Sequence, residues 1–219
     1  KLEAALTKET DQTVAVISVL KELMELHGNV VFGGDGYSAA WHKMAVEERG
    51  LKNLPTTADA LPALREASVI ELFKNTKVLS PVELESRYEV YAEQYILSIE
   101  VEAKLVVDIA TTRIYPAATS YLSELGLTAS SIAKLGIELD TSIAAAIAAE
   151  ANGMMAAVAK LSDAIATHDF ADTEAHMRFC ADVVRGLMNQ VRVHADALEG
   201  LVADELWPLP KYQEMLFIK

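Results

Sequence analysis

The chain has 219 residues, 52% of them hydrophobic, with only 10 Gly and 6 Pro. That is enough apolar material for a sizeable core and too few turn residues for an all-β fold, so composition excludes disorder and leans helical. Lys and Arg number 19 against 32 Asp and Glu, a net charge of −13. A field of that sign repels phosphate backbones and anionic lipid, which argues against nucleic acid and membrane surfaces as partners.

The single cysteine, Cys180, excludes a disulfide framework and a cysteine zinc cluster. It fits a reducing cytosol, so the expected location is cytoplasmic. No basic-plus-apolar leader opens the chain, and no apolar run approaches the roughly 20 residues of a membrane span. The chain starts Lys1-Leu2-Glu3-Ala4, already in helical register, as a piece cut from a longer protein does.

Residues 1–27 place Leu6, Val14, Ile17, Leu20, Met24 and Leu26 mostly three and four apart, which predicts one amphipathic helix ending at His27-Gly28-Asn29. Val30-Val31-Phe32 leads into Gly33-Gly34-Asp35-Gly36, a tight turn whose glycines are expected at positive φ. Ser38 then caps a short helix through Arg49, closed by Gly50. Residues 51–78 form a connector with short helices near Asp59–Arg65 and Ser68–Lys74.

Ser80-Pro81-Val82-Glu83 is the strongest local signal: a cap, a proline at the first helical position and a glutamate completing a capping box. The long helix it starts carries Leu84, Tyr88, Tyr91, Tyr95, Ile99, Ala103, Val106, Ala110 and Ile114 on one stripe. Pro116 is expected to kink it, and the hairpin to turn near Gly126. A second, alanine-rich helix over 129–167 carries Ile132, Leu135, Leu139, Ile143, Ile147, Met154, Val158, Leu161 and Ile165.

A third helix over 172–206 alternates steps of three and four through Met177, Cys180, Val184, Leu187, Val191, His194, Leu198 and Leu201. Three such helices predict an all-α antiparallel bundle over 79–219, with a smaller helical and loop part over 1–78. Trp207-Pro208-Leu209-Pro210 ends the bundle, and Tyr212, Met215, Leu216, Phe217 and Ile218 make an apolar tail.

The candidate chemistry is sparse. The glycine turn lacks the Lys-Ser/Thr ending of a phosphate loop and the spacing of a dinucleotide fingerprint. It reads as a turn, or as a ligand or interface contact through Asp35 and Tyr37. No Glu-x-x-His pair exists for a di-iron bundle, so no metal site is expected. His194 and Cys180 share the third helix's seam and read as core residues. His176 raises a phosphotransfer bundle as an alternative function, although it lies near its helix start. Arg87, Tyr88, Glu89, Tyr91, Glu93 and Tyr95 crowd one stretch and serve either an interface or internal packing, with Arg87 in reach of Glu83 and Tyr91.

Several blocks carry a family likeness. Val31-Phe32-Gly33-Gly34-Asp35-Gly36-Tyr37-Ser38-Ala39-Ala40-Trp41-His42, Arg49 to Thr57, Asp59 to Leu64, Ser86 to Tyr95 and Leu206 to Tyr212 resemble the end region of type III glutamine synthetases. The chain departs from that pattern at Gly33, Ala39 and Ala40, where the family carries Asn and acidic residues. The resemblance implies a parent enzyme that joins ammonia to glutamate through γ-glutamyl phosphate, using ATP and divalent metal (Mg or Mn). Its metal-binding glutamates and ATP-binding strands would lie before Lys1, so no catalytic residue, metal ligand or cofactor is assigned to this chain. The same resemblance implies a homo-oligomer, with the catalytic domain of the same chain and neighbouring subunits as partners. Gly33, Gly34, Asp35, Gly36, Tyr37, Trp41 and Trp207 join the Arg87–Tyr95 cluster as candidate interface positions.

Overall fold

The computed structural model describes residues 1–8 and 11–216, and every regular element among them is helical. The chain divides into two compact units, Lys1–Asn53 and Leu54–Lys219. The sequence reading parts the chain at 78/79 instead. The units part earlier because the connector's short helices pack onto the long helix that follows them.

In the first unit, α1 (Leu2–Lys8) packs on α2 (Gln12–His27), and Lys1 pairs with Glu22. The expected single helix is therefore two. Asp11 is extended, and its carboxylate accepts from the amides of Thr13 (2.8 Å) and Val14 (3.3 Å), which starts α2 afresh. Of the expected apolar stripe, Val14, Ile17, Leu20 and Met24 are between 49% and 58% exposed, and Ala15 is the buried residue of α2. A short 3-10 turn, Gly28–Val30, leads towards α3 (Ala39–Glu47). Gly50 at φ 64 lets the Leu51 amide reach the Ala45 carbonyl at 2.8 Å and close α3.

In the second unit, Thr56 and Asp59 form a reciprocal capping box on α4 (Thr57–Ala60). A 3-10 turn, Leu61–Arg65, and α5 (Ala67–Asn75) follow, close to the expected short helices. The Ser80 box is present: its Oγ accepts from the Glu83 amide at 3.3 Å, and the Glu83 carboxylate accepts from the Ser80 amide at 2.7 Å. It opens α6 (Pro81–Ile109), which continues through a π turn, Ala110–Ile114, into α7 (Tyr115–Ala133). Pro116 lacks an amide proton and crowds the carbonyl one turn back, and the wider π turn relieves both problems without breaking the helix.

The hairpin does not turn at Gly126, which lies inside α7. Glycine in an exposed helix interior costs about 1 kcal/mol, and Leu122 and Leu125 offset that by packing on the core. The chain leaves α7 through Gly136, at φ 75. The second helix is correspondingly shorter, α8 (Ser142–Ile165), and leaves Leu135 75% exposed. The third is α9 (Thr173–Phe179), a second π turn (Cys180–Val184) and α10 (Arg185–Leu201). It ends at Leu201 instead of 206 and gives way to a 3-10 turn at Asp204–Leu206. In α11 (Tyr212–Leu216), Tyr212, Met215 and Leu216 are exposed; Phe217 and Ile218 lie outside the described residues.

The core of the second unit gathers Tyr88, Ile147, Met154, Leu161, Met177 and Leu198, all fully buried. Each such burial contributes about 1.5–3 kcal/mol before entropy is counted. α8 packs most extensively on α10 and also on α7, while α9 packs on α6. α8 is, by length and composition, apolar enough to cross a membrane, with a mean hydropathy of 1.4. This corrects the expectation that no run comes near that length, because its many alanines count as apolar. Its large side chains Ile147, Met154 and Leu161 point into the core.

The two glycines predict opposite responses to alanine. Gly136→Ala should destabilise by about 1 kcal/mol because φ 75 is strained for a residue with a Cβ. Gly126→Ala meets open space in a helix and should stabilise by up to about 1 kcal/mol. Urea midpoints of the two variants check both signs.

Candidate functional site

The densest polar cluster lies where the Leu61–Arg65 turn meets α6. The Arg65 guanidinium stacks on the Tyr88 ring, 3.5 Å from its centroid. Its Nε donates to Glu85 at 3.0 Å, and its Nη2 donates to Glu85 and to Glu89, the latter at 2.5 Å. The α-helical spacing of 85, 88 and 89 puts all three on one patch. From α9, Glu174 stands 3.8 Å from Arg65 and accepts from the Tyr88 hydroxyl at 3.4 Å. Beside it, Arg178 of α9 donates to Asp59 at 2.6 Å. Connector, α6 and α9 are thus tied through two guanidinium groups.

Electrostatics follow the contacts. The hydrogen bond from Arg65 holds the Glu85 carboxyl below its ordinary value, and those from Thr56 and then Arg178 do the same for Asp59. Burial, and next the charge of Glu174, push the Tyr88 hydroxyl up. The Arg65 side chain is 34% exposed, so water screens these pairs and each contributes little alone.

The Arg87–Tyr95 residues do not converge on one site. Tyr88 is buried under Arg65, and Glu89 belongs to the same cluster. Arg87 is exposed, and its charge is the smallest of the influences that lower the Glu83 carboxyl, behind the backbone and side-chain hydrogen bonds to Ser80. Tyr91 is 47% exposed; the buried stripe runs through Ala92 in its place. Tyr95 is half-buried, with its hydroxyl enclosed and without a hydrogen-bond partner in the structure. Glu93 lines a groove of about 430 Å³ together with Glu100, His168, Phe170, Asp172 and His176. Trp207 packs on the core of the second unit, half-buried.

In that groove the His176 ring stacks on Phe170 (4.1 Å, 10°), and its Nε2 lies 3.2 Å from Glu100. Three carboxylates around it oppose an approaching phosphoryl donor, which weighs against phosphotransfer. Cys180 is buried below, and burial followed by the Glu100 charge pushes its thiol up to about 11, so it is no nucleophile. His194 lies 2.7 Å from Glu150 and packs flat against α8 at Gly153, where a Cβ would come within 2.5 Å of the imidazole. It sits partly exposed at the α8–α10 crossing, so it is not the enclosed seam residue expected from spacing.

The glycine turn also resolves differently from expectation. Gly33, Gly34 and Gly36 do not adopt positive φ. A Cβ on Gly34 would come within 2.7 Å of the tip of the Phe32 ring, which would have to swing aside, and Phe32 in turn stacks on Trp41 (3.9 Å, 27°). Arg49 lies over Trp41 and donates to the Asn29 carbonyl at 2.7 Å. Asp35 accepts from the Tyr37 amide at 2.9 Å, making an Asx turn, while the Tyr37 side chain is 95% exposed. Among the described residues no three His, Cys, Asp or Glu side chains gather closely enough to hold a metal ion. Arg65, Glu85, Glu174 and Arg178 escaped the sequence reading because their partners lie far away in the chain. The Thr56-x-x-Asp59 spacing is itself a capping-box signal, local enough to be legible in the sequence.

These polar groups join helix to helix, and the class the fold defines is an all-α domain. Residues 15–133 match the family described as glutamine synthetase C-terminal domain. The chain is 35% identical to the type-3 glutamine synthetase of Dictyostelium discoideum, over 97% of this chain and 30% of that protein. It is 28% identical to a glutamine synthetase of Bacteroides fragilis (strain YCH46) and 27% identical to one of Butyrivibrio fibrisolvens. Those matches cover 94% and 92% of this chain and 29% of each relative. The chain belongs to the glutamine synthetase C-terminal domain family. It spans about three-tenths of the length of the curated relatives it matches.

Two predictions follow from the contacts. Glu85 and Asp59 titrate lower when folded than unfolded, so their stabilisation is complete above the ordinary values of 4.5 and 3.8 and disappears as pH falls through the depressed ones. Arg65→Ala should lower the urea midpoint at pH 7 and flatten its acid-side decline. Separately, Gly153→Ala should cost about 1–3 kcal/mol by displacing His194. In a His194→Ala background the same change should become neutral or favourable, because only helix propensity remains. A four-variant denaturation cycle reads that change of sign.

Proposed function

We propose that the chain is the non-catalytic helical part of a larger glutamine synthetase, and that it supports the enzyme's assembly or regulation. In this reading the parent protein joins ammonia to glutamate at the expense of ATP, in the cytoplasm, and its subunits form a homo-oligomer. The observation that carries the reading is the open face of α2. Val14, Ile17, Leu20 and Met24 are about half exposed, in a unit that buries little else of its own. Side chains at that spacing and exposure call for a covering surface. The covering partner proposed is the rest of the same polypeptide, with neighbouring subunits as further partners.

ATP and Mg or Mn are assigned to the parent outside this chain. At the groove beside His176, Glu93, Glu100 and Asp172 repel a triphosphate.

The test is to delete residues 54–219 from the full-length protein, and separately to place Ile17→Glu with Leu20→Glu on α2, and to count subunits per assembly by light scattering together with glutamine-forming turnover. Fewer subunits per assembly, or altered regulation of turnover, is expected. An unchanged subunit count with unchanged turnover and regulation in both variants would sink the reading.

A further inference from the structure

The outer face of α6 carries an apolar strip that no other described residue of its own unit covers. Val90, Leu97, Val101 and Leu105 are 54%, 62%, 47% and 53% exposed. At 100° per residue all four fall on one side of the helix, opposite Tyr88, Ala92, Ile99 and Ala103, which are buried. Scattered surface leucines and valines need no explanation. Four in register along about 22 Å of one helix make a seam.

We propose that this seam pairs with the same seam of a second copy of the chain, running antiparallel about the Leu97–Ser98 peptide. The inference names one partner for the contact role proposed above, and it rests on that reading for the expectation that the full protein is oligomeric.

Charge complementarity selects both the occupant and its direction. Arg87 lies on one flank of the strip, Glu93 and Lys104 lie on the other, and Asp108 prolongs its centre line; all are exposed. A parallel two-fold pair would bring each flank against the other, setting Glu93 level with the second copy's Gln94 and Ser98 and Lys104 level with its Leu105, so neither charge would meet its opposite. Arg87 and Asp108 are equidistant from the Leu97–Ser98 peptide, and Glu93 and Lys104 nearly so. An antiparallel pair therefore sets each Arg87 near the other copy's Asp108 and each Glu93 near the other copy's Lys104. Val90 meets Leu105, and Leu97 packs across the two-fold axis. Lys104 now rests 3.8 Å from its own Glu100, and its ammonium retains donors for a second carboxylate. With a net charge of −13 per copy, most of the surface repels a second copy, and a strip carrying both signs lowers that barrier.

The experiment uses the full-length protein carrying Ser98→Cys, oxidised mildly, with the linkage mapped by mass spectrometry and the mass by light scattering. Two introduced thiols can join only where two copies meet at the axis, so a disulfide between position 98 of two copies is expected. Glu93→Lys and Lys104→Glu should each cut its yield several-fold, and the two together should restore it. Leu97→Glu with Val101→Glu should abolish it, while the helical circular dichroism of these surface variants stays unchanged. An assembled protein whose introduced thiols stay unlinked, or whose paired charge swap fails to rescue, overturns this inference and leaves the broader reading standing. A full-length protein that is monomeric overturns both.

Discussion

The second unit depends on one long helix surviving a proline. From Pro81 to Ala133 the chain stays helical for roughly 80 Å at 1.5 Å per residue, and the Ala110–Ile114 π turn makes that possible. A helix so long is marginal in isolation. It persists because α8, α9 and α10 cover its inner face, and because the Ser80 box fixes its start. The third helix carries a π turn of its own, Cys180–Val184, packed against α6. Each π turn adds a residue without breaking the helix, and each keeps its core residues buried: Ala110 and Ile114 in one, Cys180 and Val184 in the other.

Polar groups then set how the pieces register. Arg65 reaches Glu85 and Glu89 on α6 and Glu174 on α9, while Arg178 reaches back to Asp59 of the connector. These pairs are partly wet, so their Coulomb attraction is modest. The stack on Tyr88 adds direction, since a planar guanidinium over a ring tolerates little sliding. At the other crossing, Gly153 lets the His194 imidazole lie against α8 and meet Glu150. Both arrangements use chemistry-bearing residues for position, which fits membership of a family that supplies a domain to a larger enzyme.

Much of this was legible in the chain, and the misses share a cause. Caps are local, so Ser38, Ser80 and Gly50 could be read directly. Stripes on helices covered from two sides are less legible, because periodicity alone cannot tell a large exposed residue from a small buried one. Hence Tyr91 stands where the stripe was expected, while Ala92 carries it. Gly126 and Gly136 look alike as letters; only the second needs positive φ, and only packing by Leu122 and Leu125 keeps the first inside a helix. The glycines at 33–36 invite a backbone reason, yet none of them adopts positive φ, and a Cβ on Gly34 would crowd only the tip of the Phe32 ring. The Arg65 cluster spans contacts between distant residues that no window could contain.

The two open faces differ in what closing them would do. α2 exposes most of its apolar residues and buries Ala15, so its unit has little interior to hold it together alone. In the reading proposed here, its cover belongs to the folding of the parent polypeptide and is permanent. The inner face of α6 is already satisfied by Leu84, Tyr88, Ala92, Ile96, Ile99 and Ala103, so its outer strip is free to be vacant or filled without loss of the fold. A contact that is optional for folding, flanked by charges of both signs, suits association between finished subunits. One chain can thus carry a seam made within a protomer and another made between protomers, and the completeness of the core behind each face tells them apart.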